Sequence, residues 1–369
     1  MKSPEFYPGI LLNLPSTFLR MKHIIVLLLL FHLGCQFPIE HSELPETQKF
    51  LVIDAQVTEN YLRLNVAYSL LDVTSRGEYT LPNPPQSTAY LLDGKGIKHT
   101  ISNTRGGIDT LFKGKVGDTY QLFVEADGNS YVSDKETMRA CPELDSVIVL
   151  YSRESFRARI DEFYDGFDVY TQAQDVKGVE NYYQWEWSHY SKATHCGKIF
   201  SQTEDRDLLI PCVPATCWSI LTGNRVLIES DKLKDGNLLV KQVVRVPFVL
   251  PPTKYYLRVE QRAITPSVFS HLNAIRDKAE NLGTLFDVPA QTSFNPNVFN
   301  IHDRGEKILG SFNVFSSRYK IIYIDMLQKI PGAQVKSIAE TEYFVTNFLT
   351  SPCTEQANRT AIKPEGWID

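Results

Sequence analysis

Six cysteines carry much of the chemistry open to this sequence. Cys35 ends the stretch Met21 to Cys35, in which Lys22 precedes an unbroken apolar run from Ile24 to Phe31 and Leu33-Gly34 precede the cysteine. A positive start, a short apolar run and a small residue before a cysteine form the pattern of a bacterial lipoprotein signal. The chemistry expected is cleavage after Gly34 and thioether attachment of lipid to Cys35. His32 stands where a branched apolar residue is usual. The run is too short to span a bilayer, which takes about 20 apolar residues. Export makes the other five cysteines, Cys141, Cys196, Cys212, Cys217 and Cys353, disulfide candidates, and their odd number leaves at least one thiol unpaired within the chain. Cys196, Cys212 and Cys217 are close enough in sequence for one local bridge. With His195 they also form a zinc set by ligand type. Their spacings match no knuckle pattern, so no metal is expected there.

The carboxylates and histidines offer weaker constellations. Asp161, Glu162, Asp165 and Asp168 are calcium-ligand types without the spacing of a calcium loop, and read as a solvated hairpin tip. Glu204 and Asp207 flank Arg206. Together with Asp168 they are the acid–base candidates if the chain is an exported hydrolase of glycans or peptides. His195-Cys196 lacks a third orienting group, and His189 lies at the end of the aromatic segment. His302-Asp303, after Asn300, reads as a turn. There is no serine-hydrolase elbow, zinc-protease helix motif or phosphate loop. The leading expectation is therefore a protein with no catalytic residues and no cofactor. Tyr183, Trp185 and Trp187 share one face of a strand by alternation. They fill a core or, alternatively, form a platform of rings for a ligand.

These residues must be held by strands. The formal charge of −5 does not point to nucleic acid. Residues 1–20, with Pro4, Pro8 and Pro15, precede a complete signal with its own Met21 and read as a start-site artefact. Residues 21–34 are the signal and 35–47 a tether carrying Glu40, Glu43 and Glu46. Residues 48–140 read as an N-terminal β-sandwich of immunoglobulin or transthyretin type. Tyr61 to Tyr68 alternate, Asp93-Gly94 and Asp127-Gly128 are hairpin turns, and Thr110-Leu111-Phe112 continue the strand pattern. Residues 141–350 read as a second β-sandwich-like domain, with a hairpin at Asp165-Gly166 and an irregular disulfide-containing insertion from Gly197 to Asn224. It holds one helix, capped by Thr265, begun by Pro266, striped by Val268, Phe269, Leu272 and Ile275, and ended by Gly283. Residues 351–369 form a polar tail. The fold class is mostly β.

An ordered set of phrases resembles one family. It runs from Gly117-Asp118-Thr119-Tyr120 and Asp127-Gly128-Asn129-Ser130-Tyr131 to Asp145-Ser146-Val147 and Asn181-Tyr182-Tyr183-Gln184-Trp185. It continues through Leu282-Gly283-Thr284-Leu285-Phe286-Asp287, Asn300 and Ile308-Leu309-Gly310-Ser311-Phe312 to Lys363-Pro364 and Trp367. In this order the chain resembles the Bacteroidota outer-membrane lipoproteins grouped as domain of unknown function 4249. The N-terminal part also resembles the small β-sandwich modules related to the carboxypeptidase regulatory domain. The resemblance implies a lipid-anchored accessory of a TonB-dependent receptor, acting in ligand capture or uptake on a small-molecule, glycan or peptide ligand. An adhesive or structural surface protein is a further reading.

Overall fold

Apolar–polar alternation becomes strands through most of the computed structural model. It describes residues 48–71, 84–159, 162–193, 195–201, 206–213, 216–250, 254–281, 294, 296–326, 330–334, 336–337, 353 and 358–368. Of two units, Lys49–Leu71 with Tyr79–Asp369 holds all of these but Gln48; the other, Met1–Gln48 with Asp72–Glu78, is otherwise outside the described residues. The protein is mostly β, and Pro266–Asn281 is the one α-helix among the described residues. That helix is not long and apolar enough to cross a membrane. The signal, Cys35 and the tether lie outside the described residues.

The first core is closed between two sheets. One is ordered Ile308–Leu309, Gln48–Val57, Leu62–Leu71, Arg105–Asp109, with Phe312–Val314 also on Gln48–Val57. The other is ordered Val298–Asn300, Asn129–Ser133, Thr119–Ala126, Ser87–Asp93, Lys98–Ile101. Alternation sets which residues face inward: Ile53, Ala55, Leu62 and Leu64 from the first sheet meet Leu91, Leu122, Val124 and Tyr131 from the second. This is the packing of a sandwich. The two hairpin turns form as their residues dictate. Asp93 accepts the amides of Lys95 and Ile97 at 2.9 and 2.8 Å, and Asp127 and Gly128 both take the left-handed conformation of a two-residue turn. Thr110-Leu111-Phe112 is not a strand. The strand is Arg105–Asp109, and Leu111 is exposed beyond it.

The sandwich is completed from far along the chain. Residues 298–314, which the sequence reading places in the second region, return to it, and Ile308–Leu309 and Phe312–Val314 run parallel to Gln48–Val57. The crossing is fixed by buried Asn297. Its Nδ2 donates to the Phe312 carbonyl at 2.7 Å and to Glu136 Oε1 at 2.8 Å, while its Oδ1 accepts the Phe312 amide at 2.9 Å. Ser267, in the first turn of the helix, also donates to Glu136.

The second core lies between the sheet Ser316–Asp325, Lys254–Ile264, Tyr182–Ala193, Cys217–Thr222, Arg359–Thr360 and the three-stranded sheet Leu238–Pro247, Glu162–Gln174, Ser146–Arg159. Tyr183, Trp185, Leu257 and Val259 pack there with Phe167, Val169, Val243 and Val246. The helix begins at Pro266, and the Phe269 amide donates to the Thr265 carbonyl at 2.9 Å. Val268 is buried with Ile228, Ile264 and Phe315, and Phe269 and Leu272 pack against them. Gly283 lies outside the described residues.

Three expectations are corrected. Asp165-Gly166 is not a hairpin tip but a bulge inside Glu162–Gln174, where the register shifts between Tyr164 and Gly166. A Cβ on Gly166 would stand 2.5 Å from the Phe156 ring and 2.6 Å from the Val246 carbonyl, so a glycine is needed for close packing. Cys141 is a buried free thiol, not a disulfide partner, whereas Cys217 and Cys353 are bonded across 136 residues. Residues 358–368 are not a loose polar tail. Arg359–Thr360 pairs with Cys217–Thr222, and the Trp367 ring packs against Trp218 and Tyr256.

Replacing Asn297 with alanine strands buried partners on three segments, and is expected to cost about 2–4 kcal/mol. Urea denaturation measures it; a loss well under about 1 kcal/mol would show that water reaches the crossing.

Candidate functional site

The strand Tyr182–Ala193 has two different neighbours along one edge. Leu227–Ser230 pairs with Tyr182 to Trp185, and Cys217–Thr222 pairs with Ser188 to Ala193. Glu186 and Trp187 fall between them, where the chain leaves the sheet at 223–226. On the opposite edge Lys254–Ile264 pairs continuously from Tyr182 to Ser188, setting Glu260 directly across from Glu186. The gap is an opening of about 510 Å³, lined by Trp187, Glu186, Arg225, Arg258, Glu260 and Arg262 among others. That volume lies within the range of small-ligand pockets.

Its chemistry is a ladder of alternating charge. Residues two apart on a strand share a face, so Arg258, Glu260 and Arg262 line up beside Glu186. Arg262 reaches Glu186 at 2.6 Å and Glu260 at 3.1 Å, and Glu260 accepts from Arg258 at 2.7 Å. Burial alone would push the Glu260 carboxyl up, but Arg262 and Arg258 together hold it below the usual carboxylate range. Arg258 lies 4.2 Å over the Tyr319 ring and Arg262 4.7 Å over Phe315. A carboxylate fixed as an anion between two guanidiniums suits the binding of polar groups better than proton transfer near neutral pH.

The sequence candidates are dispersed. Tyr183 and Trp185 are 0 % and 1 % exposed, so they form core rather than a ligand platform. Trp185 Nε1 donates to Gln261 Oε1 at 3.0 Å, and the Tyr183 hydroxyl to Asp175 at 2.5 Å. Trp185 and Trp187 both border the opening, and Trp187 is the more exposed of the two. Asp168 is clamped by Arg245 Nε at 2.5 Å and Gln242 at 2.7 Å, as an ion-paired structural carboxylate. Asp165 accepts from Tyr151 and from the amides of Glu154 and Gln334, so it and Asp168 are committed to separate partners. His189 is buried, with Nδ1 2.7 Å from the Tyr256 carbonyl and its ring stacked on Tyr255. His302-Asp303 is a turn, in which Asn300 accepts the His302 amide and Asp303 the Gly305 amide. Burial pushes the Cys141 thiol up to about 12, which leaves it a poor nucleophile. Cys212 is disulfide-bonded. Asp161 and Glu204, and the side chains of Glu162, His195, Cys196 and Asp207, lie outside the described residues. The arginines of the ladder were missed by sequence reasoning. Their signal was the R-x-E-x-R alternation of Arg258, Glu260 and Arg262, which marks one strand face.

Fold and site thus define a mostly β, disulfide-bonded protein with two sandwich-type cores and a charged surface opening. The family model described as Domain of unknown function (DUF4249) matches residues 37–321, and the chain belongs to that family. No curated protein matches the chain.

Glu260 also makes the opening a source of pH-dependent stability. Its folded-state carboxyl titrates below its unfolded value of 4.5, so its contribution is fully present above that value and is lost as pH falls through the lower folded value. Glu260→Gln is expected to flatten the fall in stability below about pH 5 and to cost roughly 3 kcal/mol at pH 7, because Arg258 loses its carboxylate and buried Arg262 keeps only Glu186. Denaturation at pH 7 and pH 4 measures both; an unchanged acid limb would show that other carboxylates set it.

Proposed function

We propose that this chain is a non-catalytic, lipid-anchored binding protein of a Bacteroidota outer membrane, working beside a TonB-dependent receptor in ligand capture or uptake. The observation that carries the binding part is the opening at Trp187. Its Glu260 carboxylate is held as an anion in an arginine ladder that also engages Glu186, and an aromatic ring stands at its wall. Such a lining offers hydrogen bonds of both polarities and a stacking face to a polar ligand such as a sugar or peptide. The signal ending at Cys35 supports the anchor. The Cys217–Cys353 disulfide fits an oxidising compartment, where such bonds persist. Membership of the family supports the receptor partnership through the resemblance described above.

Two measurements test the two halves. Cys35→Ala is expected to move the protein out of the membrane fraction, and unchanged association with membranes would remove the lipid anchor. Purification of the tagged chain from a detergent extract of its own cells is expected to bring a TonB-dependent barrel with it. If no barrel accompanies the wild-type chain, the partnership fails even if the anchor stands.

A further inference from the structure

Away from the opening, two loops bring three carboxylates together. One loop follows the strand Glu162–Gln174 and begins with Asp175. The other follows Leu227–Ser230 and carries Asp231 and Asp235. A ligand oxygen from each of Asp175, Asp231 and Asp235 lies within 4.8 Å of the others. Asp175 and Asp231 are buried and Asp235 is exposed, so the cluster reaches from the interior to the surface.

Asp231 is the anomaly. It is 0 % exposed, and neither carboxylate oxygen has a hydrogen-bond partner among the described residues. The other two are partly committed. Asp175 accepts from the Tyr183 hydroxyl at 2.5 Å and the Gly236 amide at 2.8 Å, and Asp235 accepts the Gly178 amide at 2.7 Å. Lys234 and Lys241 are engaged elsewhere: both pair with Glu229, at 2.5 and 3.1 Å. A buried carboxyl whose oxygens make no hydrogen bond, beside a second carboxyl, calls for a positive charge between them.

The local sequence fits that need. In Asp231-Lys232-Leu233-Lys234-Asp235-Gly236 the acidic residues fall at the first and fifth positions and a glycine at the sixth, as in oxygen-rich calcium loops. Gly236 takes the left-handed conformation that such a sharp turn needs, with φ of 69°. The third position is Leu233, which cannot ligate. Asp175 from the other loop supplies the missing carboxylate in space. We propose that Asp175, Asp231 and Asp235 form a divalent-cation site selective for calcium, which pins the two loops together. An all-oxygen donor set of three carboxylates selects hard cations, and a site assembled from two loops has the give that calcium tolerates and magnesium does not.

The test uses the full chain, stripped with chelator and then titrated with calcium chloride or magnesium chloride at constant ionic strength. With affinity in the range of extracellular calcium modules, 10 mM calcium is expected to raise Tm by about 2–6 °C, and magnesium to do much less. Terbium, a calcium stand-in excited through nearby Tyr183 and Trp185, is expected to luminesce on binding and to be displaced by calcium. Asp231→Asn is expected to abolish the calcium response while raising Tm in the metal-free protein, because it removes the buried charge. The surface variant Asp235→Asn, which leaves the interior intact, is expected to weaken binding at least about tenfold. The proposal is overturned if the wild-type chain shows neither a calcium-dependent Tm shift nor displaceable terbium, which would mean that Asp231 is kept protonated against Asp175. It is equally overturned if Asp235→Asn responds to calcium as the wild type does.

Discussion

The architecture depends on one buried amide. Asn297 bonds at once to Glu136, at the end of the first run of strands, and to both backbone groups of Phe312. Without that anchor the chain has little local reason to leave the helix, cross back some two hundred residues in sequence and lie parallel to Gln48–Val57. Parallel pairing cannot be made by a tight turn; it needs a long connection whose ends are fixed separately. Here residues 58–297 are that connection; they carry most of the first sandwich and most of the second core, which Ser316–Asp325 completes from beyond it. Each core therefore takes a strand from beyond residue 297. Two cores drawn as successive domains are thus linked by topology. Cys141 and Ser316 reinforce the link where both runs enter the second sheet: the Cys141 amide donates to Ser316 Oγ at 2.7 Å.

The arginine ladder is a different kind of constraint. Buried ion pairs return little net stability, since desolvation offsets most of the attraction, but they are intolerant of alternatives. Glu186, Glu260, Arg258 and Arg262 must sit on one face and in one register, because a slip of one residue would turn every charge into the core. The opening at Trp187 is thus held rigid by the same charges that would meet a ligand. A site of that kind favours binding with little rearrangement, consistent with a protein whose work is recognition.

Much of the fold was legible because the signals are local. Period-two alternation at Leu62, Leu64 and Val66 marks the inward face, turn chemistry marks Asp93-Gly94 and Asp127-Gly128, and Thr265-Pro266 marks the helix start. The misreadings all concern residues whose partners are distant. Asp165-Gly166 has turn composition, but Tyr151, Glu154 and Gln334 supply donors that keep the aspartate inside the sheet. Cys141 looks like any other cysteine of the chain until Gln261 is placed against its sulfur. Tyr183, Trp185 and Trp187 share a face in sequence, yet the first two are buried in the second core while Trp187 packs at its margin beside the opening. Of the cation cluster, the sequence shows the spacing of Asp231, Asp235 and Gly236 but not that Asp175 fills the gap left by Leu233.

The C-terminal segment shows how far the folded unit extends past the region that defines the family. The family match ends at residue 321, inside the strand Ser316–Asp325. Beyond it, Cys353 is tied to Cys217, Arg359–Thr360 extends the central sheet, and Trp367 packs against Trp218 and Tyr256. The hydroxyls of Tyr256 and Tyr323 donate to the carbonyls of Glu365 and Gly366 at 3.0 and 2.9 Å. Cys217 and Trp218 stand at the start of the strand whose other end, Thr222, borders the opening. The covalent bond and the aromatic clamp therefore hold the strand that bounds the candidate site. A segment outside the matched region is in this way part of what keeps the opening in shape, and its polar composition hides this because two tryptophans and one sulfur do the holding.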